Sequence, residues 1–128
     1  MNALSRIELT KALEDYLKAI YIIQAIEGKK VVRVKDIASL LNVKMSSVTD
    51  ALRKLSDLGL INYSKRNYVE LTPKGENIAV KLYQRWEVIF KFLRDWLGVD
   101  EDIAKKDACR IEHVISEKTY NAIRRKLE

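Results

Sequence analysis

Residues 35–71 read KDIASLLNVKMSSVTDALRKLSDLGLINYSKRNYVEL, and this stretch decides the fold. Two segments with apolar residues at helical spacing meet at Asn42–Val43, where neither pattern continues. The period then shortens to that of strands at 60–63 and 68–71, which are joined by the polar, positively charged tip 64–67. A helix, a turn, a second helix and a two-stranded ribbon predict a winged helix-turn-helix.

Further helical patterns flank this stretch on both sides. Glycine and proline are scarce, at four and one residues, and they stand where helical patterns begin or stop. Thr72-Pro73 is typical of an N-cap followed by proline in the first helical position, and Ser116 is a second candidate cap. The sequence therefore predicts a mainly α (α+β) chain, with an N-terminal winged helix-turn-helix domain in 1–74 followed by a helical domain in 75–128. The predicted helices are 9–26, 35–41, 46–58, 73–97, 100–115 and 117–127.

Composition limits the classes of function. The 128 residues contain 24 Lys+Arg and 18 Asp+Glu, and the resulting net charge of +6 favours an anionic partner. No apolar run is long enough to cross a bilayer, so we expect no membrane span. A single cysteine cannot form an internal disulfide, so we expect a reducing, cytoplasmic location. The single histidine excludes any site that needs two imidazoles from one chain.

The predicted helix 46–58 carries the candidate DNA-reading surface. Side chains in the first turns of a major-groove helix contact base edges, while flanking cations contact phosphates. Arg53 is suited to a bidentate contact with guanine, and Asp50 is suited to accept a hydrogen bond from the amino group of cytosine. Alternatively, Asp50 forms an ion pair with Arg53 or Lys54. Lys65 and Arg66 at the ribbon tip are placed to reach phosphates or the minor groove, the alternative being a solvated tip. The predicted DNA-contacting residues are Lys44, Ser46, Ser47, Thr49, Asp50, Arg53, Lys54, Lys65 and Arg66.

Three potential metal ligands follow a helical spacing near the end of the chain. Cys109, Glu112 and His113 stand at positions i, i+3 and i+4 of the predicted fifth helix, so their side chains share one face. A thiolate, a carboxylate and an imidazole suit a borderline divalent transition metal. Three ligands do not close a coordination shell, so another helix must donate. On spacing alone, the simpler alternative is that Cys109 is a small buried residue and His113 an interface residue.

Several short motifs occur in a characteristic order and spacing. They are Glu14–Tyr21 (EDYLKAIY), Asp36–Ala38 (DIA), Ser47–Thr49 (SVT), Gly59–Ile61 (GLI), Leu71–Gly75 (LTPKG) and Ala108–Ser116 (ACRIEHVIS). Through these motifs the chain resembles, over almost its full length, the metal-dependent repressors of the diphtheria toxin repressor and manganese transport regulator family. The resemblance implies a homodimeric transcriptional repressor that binds a double-stranded DNA operator. On this basis, 1–74 is the predicted winged helix-turn-helix DNA-binding domain and 75–128 the predicted helical metal-binding and dimerisation domain. It also implies Fe²⁺ or Mn²⁺ as the corepressor in metal homeostasis.

The resemblance also assigns the metal ligands. Cys109, Glu112 and His113 fall on the main-site ligands of the iron branch. Asp15 falls where the iron branch uses methionine and the manganese branch uses aspartate, so its carboxylate is the candidate for the missing ligand. The resemblance thus implies a metal shared by Asp15 and the distal helical domain, which fixes the angle between the two domains.

The chain departs from the family pattern at the positions of a second metal. Trp86, Phe90 and Lys105 stand at the ancillary-site positions of the iron branch, and none is an ordinary ligand for a divalent metal. The paired site of the manganese branch would need glutamates where Lys18 and Cys109 stand. We therefore predict one metal ion per protomer.

The apolar residues of the second domain are expected in packed surfaces. Trp86 and Phe90 are predicted to form a stripe with Leu93 and Leu97. Part of the remaining apolar surface is expected to form the dimer interface. The candidates for that surface are Ile103, Ala104, Ile111, Val114, Ile115 and Ile123.

Two alternatives stay open at this point. The first is a winged-helix transcription factor that has lost metal control or that senses oxidant through Cys109. The second is an enzyme with Cys109 as nucleophile and His113 as base. The sequence argues against an enzyme, because neither an oxyanion motif nor a glycine-rich phosphate loop accompanies this pair.

Overall fold

The computed structural model describes residues 9–64, 66 and 68–128. The described residues form six α-helices and three strands, and they confirm the mainly α fold with an N-terminal winged helix-turn-helix. The chain divides into two compact units with the boundary between Val80 and Lys81. No described helix combines the length and the apolar character needed to cross a membrane. The elements are α1 Lys11–Tyr21, β1 Val32–Arg33, α2 Val34–Leu41, α3 Met45–Asp57, β2 Ile61–Tyr63, β3 Tyr68–Leu71, α4 Pro73–Lys91, α5 Glu101–Ile111 and α6 Glu117–Leu127.

The core of the first unit comes from the apolar faces of α1, α2 and α3. Leu17 of α1, Ile37 of α2 and Leu52 of α3 are fully buried. Val48 and Leu55 are also fully buried, as their helical spacing predicts. Burial of each such side chain contributes about 1.5–3 kcal/mol, so this shared core fixes the three helices to one another.

Local hydrogen bonds fix both ends of α2, and with them the turn before α3. The backbone N–H of Arg33 donates to Oδ2 of Asp36 at 2.9 Å, and Nζ of Lys29 donates to Oδ1 at 2.8 Å. Burial raises the pKa of Asp36, but these two hydrogen bonds and the positive charges of Lys29 and Lys35 together outweigh it and hold the pKa below its ordinary value. At the other end, Asn42 takes the left-handed conformation with φ 55°, which ends the helix.

The sheet has one strand more than the sequence predicts. Its antiparallel order is β1-β3-β2, with Val32 opposite Val69 and Ile61 opposite Leu71. The prediction of a two-stranded ribbon is therefore incomplete, because it lacks β1. β1 contains only two residues, which is too short for a period of two to be recognised.

The start of α4 packs tightly against the residues that enter β2. Oγ1 of Thr72 donates to the carbonyl of Gly59 at 2.8 Å and accepts from the backbone N–H of Gly75 at 3.1 Å. The predicted N-cap at Thr72 is thus confirmed. A Cβ atom on Gly75 would lie 1.9 Å from the carbonyl oxygen of Leu60, so only glycine fits there. This contact fixes α4 against the residues that lead into the wing, the hairpin formed by β2 and β3.

The second unit has a small core of its own. Ile89 and Phe90 of α4 are buried together with Ala104 and Ala108 of α5. Trp86 and Leu93 pack against this core, as the predicted stripe requires, but Leu97 is 59% exposed. Leu97 leaves the stripe because α4 gives way to a π-helical turn at Phe92–Trp96, which changes the direction of the side chains that follow.

The Gly75 contact generates a stability prediction. We expect Gly75→Ala to lower the free energy of unfolding by about 1–3 kcal/mol, because the added methyl group forces backbone atoms apart. Asn77→Ala is the matched control, since Asn77 is exposed in the same part of α4 and its replacement should change stability by less than about 0.5 kcal/mol. Urea denaturation measures both values. Equal stability of the two variants would contradict the packing described here.

Candidate metal centre and nucleic-acid interface

Cys109, Glu112 and His113, here called the donor trio, lie at the end of α5 and in the turn that follows. Cys109 belongs to the last turn of α5, which ends at Ile111, and Glu112 is the C-cap residue with φ −58° and ψ −27°. The prediction that this helix reaches Ile115 is therefore wrong. A helix cannot continue through Ser116, because this residue takes an extended conformation (φ −72°, ψ 158°) as the N-cap of α6 and accepts from the backbone N–H of Thr119 at 3.2 Å.

The turn still brings the three donor atoms together. Sγ of Cys109, a carboxylate oxygen of Glu112 and a ring nitrogen of His113 all lie within 4.8 Å of one another. Oε1 of Glu112 and Nε2 of His113 are 3.5 Å apart. Two ligands bound to one tetrahedral ion at about 2.1 Å are roughly 3.4 Å apart, so the spacing fits a shared first-row metal.

Burial of the donor trio adds to this fit. The side chain of His113 is 5% exposed and that of Glu112 is 1% exposed. Cys109 is half-buried. A carboxylate loses much of its hydration at this depth, and a divalent cation is among the neighbours that best compensate that loss. The donor set and its setting thus suit a transition-metal ion.

The fourth predicted ligand, Asp15, belongs to the first unit. It lies in α1 with its side chain 24% exposed, and its Oδ1 atom is 4.0 Å from Nζ of Lys18, one turn further along the helix. Lys18 itself is buried, with 6% exposure. The position predicted to need a glutamate in a paired metal site therefore carries a buried ammonium group instead.

The positions predicted for an ancillary metal site hold a packed aromatic group. The rings of Trp86 and Phe90 are stacked, with centroids 5.2 Å apart and planes 4° from parallel. Nε1 of Trp86 donates to the backbone carbonyl of Lys105 at 3.2 Å, and the guanidinium of Arg94 lies 4.7 Å from the centroid of the Phe90 ring. These contacts occupy this face with apolar and cation–π packing.

Sequence reasoning missed Arg85, which contacts the turn that carries the donor trio. Its Nε atom donates to the backbone carbonyl of Glu112 at 3.2 Å, and its Nη2 atom donates to that of Ile115 at 2.6 Å. These partners lie 27 and 30 residues away along the chain, so no local pattern could have indicated the contact.

The exposed face of α3 carries most of the predicted DNA-contacting residues. Thr49 is half-buried, and its hydroxyl donates to the carbonyl of Met45 at 3.1 Å, so this hydroxyl proton is already used within the helix. Asp50 and Arg53 form an exposed ion pair with 3.9 Å between Oδ1 and Nη1, which is the alternative role of Asp50. The exposed members of the set on or next to α3 are Lys44, Ser46, Ser47, Asp50, Arg53 and Lys54.

The three-stranded sheet also carries basic side chains. Arg66 is exposed in the turn between β2 and β3, whereas Lys65 lies outside the described residues. The guanidinium of Arg33 on β1 lies 5.2 Å from the centroid of the Tyr68 ring, and its Nη2 atom donates to the Tyr68 hydroxyl at 3.4 Å. The sequence analysis did not single out Arg33, because β1 was not predicted.

Two family descriptions match the chain in succession. The description "Iron dependent repressor, N-terminal DNA binding domain" matches residues 8–69. The description "Iron dependent repressor, metal binding and dimerisation domain" matches residues 72–128. Together the two matches cover nearly all of the sequence.

Sequence relatives include named transcriptional regulators. An uncharacterised HTH-type transcriptional regulator of Methanocaldococcus jannaschii is 34% identical over 116 residues, which make up 91% of this chain and 92% of the relative. The HTH-type transcriptional regulator MntR of Bacillus subtilis is 40% identical over 116 residues, which make up 91% of this chain and 78% of MntR.

Solved structures share the same fold. The crystal structure of T. acidophilum IdeR matches with a TM-score of 0.78 and 27% identity over 94% of this chain and 55% of IdeR. A manganese-dependent transcriptional repressor in complex with manganese matches with a TM-score of 0.81 and 30% identity, over 90% of this chain and 52% of that repressor. The chain thus spans about half the length of these solved regulators.

Proposed function

Because this chain belongs to the iron-dependent repressor family, we propose that it is a metal-responsive repressor that binds a double-stranded DNA operator as a homodimer. The single observation that carries this proposal is the donor trio, whose thiol, carboxylate and imidazole lie within 4.8 Å of one another. Such a repressor also requires a surface that reads DNA, and the exposed face of α3 is the candidate for it. A metal-binding group and a DNA-reading helix on one chain are the two parts of such a switch.

The proposed ligands are Asp15 and the donor trio. Three donors leave a tetrahedral shell incomplete, and a carboxylate is a common fourth ligand for a divalent transition metal. Asp15 supports this role through its chemistry and through its match to the family motif in Glu14–Tyr21. The Cys109 thiol must stay reduced to bind metal, which suits a cytoplasmic protein.

We propose one ion per protomer, with Fe²⁺ or Mn²⁺ as the physiological metal. Lys18 and the stacked pair of Trp86 and Phe90 support the single ion. They place an ammonium group and apolar rings at the positions where the family pattern has the ligands of a second metal. The thiolate favours iron among these two metals, whereas the carboxylates are compatible with manganese.

The proposed mechanism couples metal binding to the spacing of two α3 helices in a dimer. A bound ion would supply a link between Asp15 and the donor trio, and so restrict the angle between the two units. Two recognition helices must be separated by about 34 Å to enter successive major grooves on one face of DNA. A coupling of about 1–3 kcal/mol would raise operator affinity roughly 5- to 150-fold.

The proposed DNA contacts divide by chemistry. Arg53 is the candidate for a bidentate contact to guanine, and Asp50 orients it through their ion pair or contacts cytosine directly. Lys44 and Lys54 are candidates for phosphate contacts, together with Lys65 and Arg66 of the wing. The hydroxyl residues of the proposed set are Ser46, Ser47 and Thr49.

Replacement of a proposed ligand tests the metal site. We expect Glu112→Gln and His113→Ala to remove the roughly 5- to 150-fold stimulation of DNA binding by Mn²⁺ or anaerobic Fe²⁺. Fluorescence anisotropy with a selected operator, measured with and without metal, gives the stimulation. Glu101→Gln is the matched control, because Glu101 lies exposed at the start of α5 and should leave the response unchanged. A full metal response in Glu112→Gln would show that the site assignment is wrong.

Replacement of Arg53 tests the DNA surface. We expect Arg53→Ala to weaken operator binding by about 1–3 kcal/mol and to relax the preference at one base pair, because a base contact is lost. Arg110→Ala, an exposed arginine of α5, removes the same charge and should retain specificity. Binding measured over a salt series separates base contacts from phosphate contacts. Unchanged specificity in Arg53→Ala would contradict its proposed role.

A further inference from the structure

A single arginine side chain holds both ends of the turn that contains Glu112 and His113. Arg85 of α4 donates from Nε to the carbonyl of Glu112 at 3.2 Å and from Nη2 to the carbonyl of Ile115 at 2.6 Å. Its Nη1 atom forms an ion pair with Glu117, in the first turn of α6. The guanidinium therefore spans the whole connection from α5 to α6.

This connection needs support from outside the helix. α5 ends at Ile111, and the backbone N–H groups of Val114 and Ile115 both donate to the carbonyl of Ile111 at 3.0 Å. Carbonyl groups at the end of a helix have no partner within the helix, and cationic side chains are favourable there. Arg85 supplies both the donors and the charge at this end of α5.

The surroundings of Arg85 restrict its motion. Its side chain is 19% exposed, and its guanidinium lies 5.1 Å from the centroid of the Tyr120 ring. The planar guanidinium presents its donors in a fixed arrangement, so simultaneous bonds to two carbonyls determine their relative position. The ion pair with Glu117 offsets the positive charge, which would otherwise oppose a divalent cation nearby.

We propose that Arg85 is a positioning residue for the metal centre. It fixes the backbone of the turn, and thereby the directions of the Glu112 and His113 side chains, without contacting the ion. This inference rests on the proposed metal-dependent function. It predicts that metal affinity depends on a side chain that is not itself a ligand, as is common for groups that orient ligands.

Titration of the full chain with Co²⁺ tests this role. Co²⁺ bound to the Cys109 thiolate gives a charge-transfer absorption, and its visible bands report the ligand geometry. We expect Arg85→Ala to bind Co²⁺ about 10- to 100-fold more weakly than the wild type and with altered visible bands. Arg85→Lys should recover part of the affinity, because lysine keeps the charge but not the fixed arrangement of donors. Arg124→Ala, an exposed arginine of α6, is the matched control and should bind as the wild type does.

Two further comparisons separate positioning from a purely structural role. Urea denaturation without metal reports the stability of each variant independently of Co²⁺ binding. Wild-type Co²⁺ affinity and bands in Arg85→Ala, together with reduced stability, would overturn the proposal. If Arg85→Ala does not fold, Arg85→Lys and Glu117→Gln carry the test, with an expected weakening of Co²⁺ binding by several-fold, and wild-type binding in both would overturn it.

If the proposed metal site itself is wrong, the experiment gives a result that differs from the failure of the Arg85 role alone. In that case the wild type shows no thiolate absorption with Co²⁺, or Glu112→Gln binds Co²⁺ as tightly as the wild type. That outcome overturns both the metal site and the role of Arg85. A wild-type site that depends on Glu112 but not on Arg85 overturns only the positioning role.

Discussion

A carboxylate and an imidazole share a nearly water-free position just beyond the end of α5. The side chain of Glu112 is 1% exposed, and its Oε1 atom is 3.5 Å from Nε2 of His113, with the thiol of Cys109 close by. Burial of such groups is costly without compensating charge, so this position is suited to cation binding. The proposed regulation depends on this free-energy cost of burial, because a bound metal ion would supply the compensating positive charge and so stabilise the donor trio.

The DNA-reading surface has a different physical basis. The helices α1, α2 and α3 share one core. The start of α4 contacts the residues just before β2 through the Thr72 hydroxyl, which donates to Gly59, and through the close approach of Gly75 to Leu60. These contacts connect α3, the wing and the start of α4 within the first unit. Rigidity matters for the proposed switch, since a change in the angle between units alters DNA affinity only if each unit moves as a body.

Much of the fold and part of the candidate site follow from local patterns in the sequence. Helical spacing predicted the buried faces of α1 to α3, and Thr72-Pro73 predicted the start of α4, because caps and amphipathic faces depend on residues only a few positions apart. The spacing of Cys109, Glu112 and His113 predicted only that three potential ligands share one face, and the resemblance to the repressor family made them a predicted metal site. The sequence by itself thus determined the winged helix-turn-helix and the chemistry of the donor atoms.

The tertiary structure decided the features that depend on distant partners. β1 exists only because Val32 pairs with Val69, and the turn after α5 is held by Arg85, 27 residues before Glu112. The predicted end of the fifth helix was wrong, because α5 ends at Ile111 and the backbone N–H groups of Val114 and Ile115 both donate to the Ile111 carbonyl in the turn that follows. Long-range contacts combine residues whose separation along the chain carries no periodic signal, so only the folded chain shows how the donor atoms are held together.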